Sequence, residues 1–71
     1  MDKLTQLMKI EGYDDLTEML AEASVDSVCW GICMNEGCDY TVEVEPDATE
    51  NWCEACHTPS VRSCLSLAGV I

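Results

Sequence analysis

The chain has 71 residues, of which 14 are acidic and three basic, for a formal net charge of −11. A chain of this length forms one small domain with a small core, and such domains often need disulfides or a metal ion for stability. The basic residues are too few to give the positive face that binding to phosphates requires. We therefore expect no direct binding to nucleic acid or to an anionic membrane, whereas a basic protein partner is compatible with this charge.

The six cysteines are candidates for disulfides or for a metal site, and the redox compartment decides between the two. Residues 1–10 contain neither a basic start nor a long apolar run, so we expect no signal peptide and no transmembrane helix. A cytoplasmic, reducing setting follows as the expectation, and there the thiols would be metal ligands.

The N-terminal third predicts two short helices. Residues 2–10 repeat apolar side chains near helical spacing, and Gly12 offers the left-handed conformation that ends helices. Asp15 is placed to cap a second helix, with Glu18 three residues later as in a capping box. The apolar face of this second helix carries Leu16, Met19, Leu20 and Ala23. Residues 24–27 are expected to link it to the next unit.

Two alternating segments, residues 28–32 and 39–45, predict β-strands. In the second, the polar face with Glu43 and Glu45 should meet water. Residues 46–51 predict a loop, residues 58–60 a break, and residues 61–67 a last strand containing Cys64. No acidic residue follows Glu54, so the C-terminal segment is expected to be buried in the fold or in a homo-oligomer formed through this strand.

Two close cysteine pairs, Cys33/Cys38 and Cys53/Cys56, predict a metal site with four thiolate ligands. Each pair fits on one turn, and the 14 residues between the pairs fit a strand, a loop and a return. Zn²⁺ in structural sites takes four such donors in a tetrahedron. Because four cysteines leave no open coordination position, we expect one structural zinc ion and no enzymatic activity.

The remaining cysteines and the single histidine can each be interpreted in two ways. Cys29 precedes Cys33 by four residues in a predicted strand, roughly 13 Å if extended, which is too far for both to bind one ion. Cys64 is expected to be a buried apolar side chain, and the alternative pairs it with Cys29 across neighbouring strands as a redox switch. His57 could replace Cys56 as a ligand, but we favour a turn residue with positive φ.

The acidic residues of the second strand and the following loop could be taken for a catalytic carboxylate set. A solvated surface explains them more simply, because no matching histidine and serine set accompanies them. These residues are Glu43, Glu45, Asp47, Glu50 and Glu54.

Several short segments from Ile32 onward carry a resemblance to a known group. They are Cys33, Gly37-Cys38-Asp39-Tyr40-Thr41, Val44-Glu45-Pro46-Asp47, Trp52-Cys53-Glu54-Ala55-Cys56 and Leu67-Ala68-Gly69-Val70-Ile71. In these the chain resembles small zinc-ribbon proteins of bacteria and phages. The resemblance implies the same four cysteine ligands and no particular activity. His57 stands where many zinc-ribbon turns have glycine, and the loop Glu45-Pro46-Asp47 is the candidate functional surface.

Together these patterns predict one α+β domain over residues 1–71, with a helical segment (1–26) packed on a small antiparallel zinc-ribbon sheet (27–71). The predicted function is that of a non-enzymatic structural-zinc ribbon, an acidic protein-interaction or regulatory module. A rubredoxin-like iron electron carrier is the first alternative, because iron also accepts four thiolates. The sequence is also compatible with a thiol redox regulator acting through Cys29 and Cys64, and with an acidic mimic of nucleic acid.

Overall fold

A computed structural model describes residues 2–25 and 27–69, which form helices and one antiparallel sheet. The helices are α1 (Lys3–Ile10), α2 (Leu16–Val25) and the short α3 (Cys64–Leu67). The strands are β1 (Cys29–Cys33), β2 (Thr41–Val44), β3 (Asn51–Cys53) and β4 (Thr58–Ser63), in the spatial order β2-β1-β4-β3. The predicted α+β class, with N-terminal helices and a small antiparallel sheet, is confirmed.

Both predicted N-terminal helices are present with the predicted signals Gly12 and Asp15 next to them, whereas the cap at Asp2 was not predicted. The Asp2 carboxylate accepts a hydrogen bond from the Thr5 backbone N–H at 2.8 Å, which caps α1. Gly12 follows this helix with φ 81°, the left-handed conformation expected of it. Before α2, the Asp15 carboxylate accepts a hydrogen bond from the Thr17 backbone N–H at 3.0 Å.

The first two strands lie close to their predicted positions and pair with each other. Their register runs from Cys29 opposite Val44 to Ile32 opposite Thr41. On β2, Val44 is buried and Glu43 is exposed, as the alternation of that segment predicted.

The predicted break at residues 58–60 is wrong, because these residues begin β4. This strand pairs with β1 on one side and with β3, which was not predicted, on the other. The pairing with β3 is irregular between Asn51 and Cys53. Pro59 lies opposite this irregular part, where a strand tolerates a residue without a backbone N–H.

The predicted last strand over residues 61–67 is correct only as far as Ser63, after which the chain turns into α3. The Ser63 hydroxyl causes this change, since it accepts a hydrogen bond from the Ser66 backbone N–H at 3.1 Å. It also donates to the Pro46 carbonyl at 2.6 Å. Cys64 is therefore the first residue of a helix and not part of a strand.

The strand through which self-association was predicted lies inside the sheet. Because β4 is flanked by β1 and β3, it offers no free edge for pairing with a second copy. Formation of a homo-oligomer stays a prediction, and pairing through β4 does not support it. Val70 and Ile71, the last residues of the apolar ending, lie outside the described residues.

The buried side chains form two groups. One group, which we call the helix-side core, joins the three helices to β1 and consists of Leu7, Met19, Ala23, Cys29, Ile32, Cys64 and Leu65. The other group, the ribbon core, consists of Cys33, Val44, Ala48, Cys53 and Val61. Over residues 2–25 and 27–69, no helix is long and apolar enough to cross a bilayer.

Candidate metal centre

The ends of two strands and the turns that follow them carry the four predicted ligands. Cys33 is the last residue of β1 and Cys53 is the last residue of β3. The first turn closes through a hydrogen bond from the Cys38 backbone N–H to the Asn35 carbonyl at 3.1 Å. Gly37, with φ 82°, provides the left-handed residue of this turn. In this way each strand end places two cysteines on one tight bend.

The four sulfur atoms of Cys33, Cys38, Cys53 and Cys56 all lie within 4.8 Å of one another. The Sγ atoms of Cys33 and Cys56 are 3.8 Å apart, and those of Cys38 and Cys53 are also 3.8 Å apart. Four sulfurs at about 2.3 Å from a central ion occupy the corners of a tetrahedron with edges of about 3.8 Å. Both separations therefore match a tetrahedral metal site, and both exceed the about 2.05 Å of a disulfide bond.

Hydrogen bonds hold the sulfur atoms and their turns in place. The Cys56 backbone N–H donates to the Cys53 sulfur at 3.3 Å, and the Ser60 hydroxyl lies 3.1 Å from the Cys33 sulfur. The Asn35 side-chain amide donates to the Thr58 hydroxyl at 3.1 Å. Because Asn35 belongs to the first turn and Thr58 begins β4, this bond ties the two halves of the site together.

The thiols influence one another strongly when no ion is bound. Burial raises the pKa of Cys33, but hydrogen bonds from the Ser60 hydroxyl, the Asn35 backbone and the neighbouring thiols lower it to about 7. The Tyr40 backbone N–H lowers the pKa of Cys38, yet the Cys56 thiol and burial raise it to about 12. Cys33 therefore ionises at a lower pH than Cys38, and a divalent cation would stabilise the thiolate form of both.

Burial at the site is asymmetric. Cys33 and Cys53 are fully buried, whereas Cys38 and Cys56 are half-buried. The ribbon core covers the inner side, so an ion at the centre would be shielded from water on that side and reachable from the outer side. Four thiolates are a donor set that suits zinc and also iron, and the geometry alone does not distinguish the two metals.

Cys29 and Cys64 lie away from this cluster, in the helix-side core. Burial and the nearby Cys29 thiol raise the pKa of Cys64 to about 12. The prediction that Cys29 and Cys64 lie on neighbouring strands is wrong, because Cys64 is the first residue of α3. The two thiols are nevertheless neighbours, and all six cysteines are free thiols.

His57 has φ 58°, so the predicted positive φ is confirmed. The His57 ring contacts Trp52 edge-to-face, with ring centroids 6.3 Å apart, and does not belong to the four-sulfur group. Glu45 and Asp47 of the candidate surface loop are exposed. Across residues 2–25 and 27–69, the four cysteines are the sole cluster of potential metal ligands of at least three side chains.

Two residues at this site were not predicted from the sequence. Ser60 contacts the Cys33 sulfur, and the Lys3 ammonium donates to the Asn35 and Cys38 carbonyls at 2.7 and 2.5 Å. Lys3 is more than 30 residues away from this turn in sequence, and no local pattern indicates the contact.

Comparison of the chain with protein-family models, with curated proteins and with solved structures gave no match. The resemblance to small zinc-ribbon proteins therefore stays a prediction, and the function has to be argued from the four-sulfur site and the surface.

Proposed function

We propose that the chain is a non-enzymatic zinc-ribbon module, in which one zinc ion stabilises the sheet and the acidic surface binds a protein. The observation that supports the proposed metal site is that the four cysteine sulfurs lie within 4.8 Å of one another, with two of the pairs 3.8 Å apart, the edge length of a zinc–sulfur tetrahedron. The ribbon core beside them has few apolar side chains. A metal ion would supply the stability that so small a core does not.

Zinc is the proposed metal because four thiolates in a closed tetrahedron are typical of structural zinc sites. A rubredoxin-type iron site is the second candidate, favoured by the same donor set. The two metals differ in colour, since a ferric tetrathiolate absorbs visible light and a zinc site does not. An absorption spectrum and metal analysis of protein purified without added metal distinguish them.

The proposed structural role of zinc is tested by removing zinc and adding it back under reducing conditions. We expect a strong chelator to abolish the β-sheet signal in circular dichroism, and one equivalent of zinc to restore it. The reducing conditions prevent the thiols from forming disulfides, which would otherwise stabilise the sheet in the absence of zinc. A sheet that persists unchanged after the metal is gone would contradict a structural role for zinc.

The proposed binding of a protein partner rests on the negative charge of the chain and on one cleft. The cleft, about 150 Å³ in volume, lies between α2, β1 and β2 and is lined in part by Tyr13, Glu22, Val28, Trp30 and Glu43. It is smaller than the roughly 300–1,000 Å³ of small-molecule and cofactor sites, and its size suits a single side chain. Two aromatic rings and two carboxylates favour a cation, and none of the described residues that line the cleft is basic.

Carboxylates lie close together beside this cleft. Burial and the nearby Glu43 carboxylate raise the pKa of Glu11, which indicates that the negative charges of these two side chains interact. The Tyr13 hydroxyl donates a hydrogen bond to the Glu22 carboxylate. This bond holds the two side chains in place on one side of the cleft. The proposed partner is therefore a basic protein segment that inserts a lysine or arginine side chain here.

A peptide titration followed by NMR tests this interaction. A short lysine-containing peptide should shift amide signals around Trp30 and Glu43, and the same peptide with norleucine in place of lysine should not. Glu43→Gln should weaken binding, whereas Glu50→Gln, which removes an exposed charge elsewhere, should weaken it less. Equal shifts with both peptides, or none with either, would contradict the proposed cleft.

A further inference from the structure

The N-terminal helix reaches the metal centre through a single side chain. Lys3 is the first residue of α1, and its ammonium donates to the Asn35 carbonyl at 2.7 Å and to the Cys38 carbonyl at 2.5 Å. Both acceptors belong to the first cysteine turn, and Cys38 supplies one of the four sulfurs. Lys3 thus joins the helical segment to the backbone that positions a ligand.

These two bonds restrain the shape of the turn. The Asn35 carbonyl also accepts the Cys38 backbone N–H at 3.1 Å, the bond that closes the turn. Hydrogen bonds from an ammonium group are stronger than those between neutral groups. With Lys3 in place, the backbone on both sides of Gly37 is held in the conformation that points the Cys38 sulfur toward Cys53, which lies 3.8 Å away.

The charge of Lys3 also matters for the completed site. Four thiolates around one divalent cation leave a net charge of about −2 on the centre. The chain as a whole is strongly negative, with a formal net charge of −11. Arg62 donates instead to the Ser66 hydroxyl, and Lys3 is the cation that the structure places on the first turn.

We propose that Lys3 is a positioning residue of the metal centre, which holds the first cysteine turn ready for metal and couples the docking of α1 to metal binding. This inference rests on the proposed metal function. The ammonium repels a free cation, but the completed centre is net negative and the ammonium lies against its backbone carbonyls. Metal binding converts four largely neutral thiols into a centre with a net charge of about −2, so the attraction to the ammonium increases on binding and Lys3 favours the metal-bound state.

The first test compares the zinc affinity of the variants K3M and K9M by competition with a colorimetric chelator. Lys9 lies on the same helix and is exposed, so both variants change the net charge equally and only K3M loses the contact. We expect K3M to lower zinc affinity by about 10-fold or more, as residues supporting metal ligands commonly do. K9M should change the affinity by less than about twofold, in line with an exposed charge. Equal affinities for K3M and K9M would overturn the proposal.

A second measurement covers the case in which K3M does not load zinc at all. In the unmodified chain, zinc should slow amide hydrogen exchange in α1 as well as in the first cysteine turn. If zinc slows exchange in the turn but leaves α1 unchanged, the coupling is refuted and the metal function stands. If the unmodified chain does not bind one equivalent of zinc, the proposed function itself fails.

Discussion

The helix-side core and the ribbon core differ in the side chains that form them. The helix-side core contains seven buried hydrophobic or cysteine side chains contributed by three helices and one strand. The ribbon core contains five, and two of these are the candidate ligands Cys33 and Cys53. The first resembles an ordinary apolar core, whereas the second is small and sits directly against the four sulfurs. Under the proposed function the chain would combine apolar packing with metal binding, and perturbing each core separately measures how far the two depend on each other.

The largest effect is expected from removing a ligand in the ribbon core. Cys53→Ser should prevent zinc binding at equimolar metal and abolish the sheet signal in circular dichroism, because metal binding supplies on the order of 10 kcal/mol in such sites. Cys64→Ala is the matched control, since Cys64 is equally buried but lies in the helix-side core. A Cys53→Ser protein that retains both zinc and sheet would contradict the assignment of the site.

The next largest effect is expected from a cavity in the helix-side core. Leu7 is fully buried, so Leu7→Ala should lower the free energy of unfolding of the zinc-loaded protein by about 2–5 kcal/mol. The zinc-to-protein ratio should remain one to one. Ile10→Ala, on the same helix but 44% exposed, should cost much less. Loss of zinc binding in Leu7→Ala would show that the two cores depend on each other more strongly than this account allows.

A smaller effect is expected where β1 passes the ribbon core. A methyl group on Gly31 would lie 2.8 Å from Val44 Cγ2 and 3.0 Å from Val61 Cγ1, closer than carbon atoms pack. Gly31→Ala should therefore lower the free energy of unfolding by about 1–3 kcal/mol. Val44→Ala, which removes the nearest contact but also leaves a cavity in the core, should cost less in the Gly31→Ala background than in the parent. Denaturant titration of the parent and these variants would measure it, and a Gly31→Ala protein as stable as the parent would disprove the close packing.

The smallest effect concerns the pH dependence of the helix-side core. Burial and the Cys29 thiol raise the pKa of Cys64 from its ordinary value of 9.0 to about 12 in the folded state. A raised pKa means that the neutral thiol stabilises the fold fully below pH 9 and loses this contribution between about pH 9 and 12. The parent should therefore lose stability relative to Cys64→Ala as the pH rises from 8 to 10.5. A difference in urea midpoint that stays constant over this range would contradict the shift.

Local signals in the sequence sufficed for most of the fold and for the ligand set. Asp15 binds the first turn of the second helix, Gly12 follows the first helix with positive φ, and the alternation of residues 39–45 predicted β2 because one face of that strand is solvated. The spacing of the four cysteines predicted their convergence. Each of these signals acts within a few residues, or through a cysteine spacing that is typical of metal sites.

The parts that could not be predicted depend on contacts between distant segments. Strand β3 is short and exposed at Asn51 and Trp52, so no apolar alternation indicates it, and Pro59 is tolerated in β4 only because the pairing is irregular there. The exception is α3, because Ser63 is a local capping signal inside the segment that was predicted as the last strand. The Lys3 contact has no sequence signal, because it joins a helix to a turn far along the chain.

X-ray absorption at the zinc edge, on protein shown by native mass spectrometry to carry one metal ion, tests the central claim most directly. We predict four sulfur neighbours at about 2.3 Å, with one zinc ion per chain. A coordination shell with fewer than four sulfurs, or a protein mass showing that any of the four ligand cysteines forms a disulfide, would contradict the account.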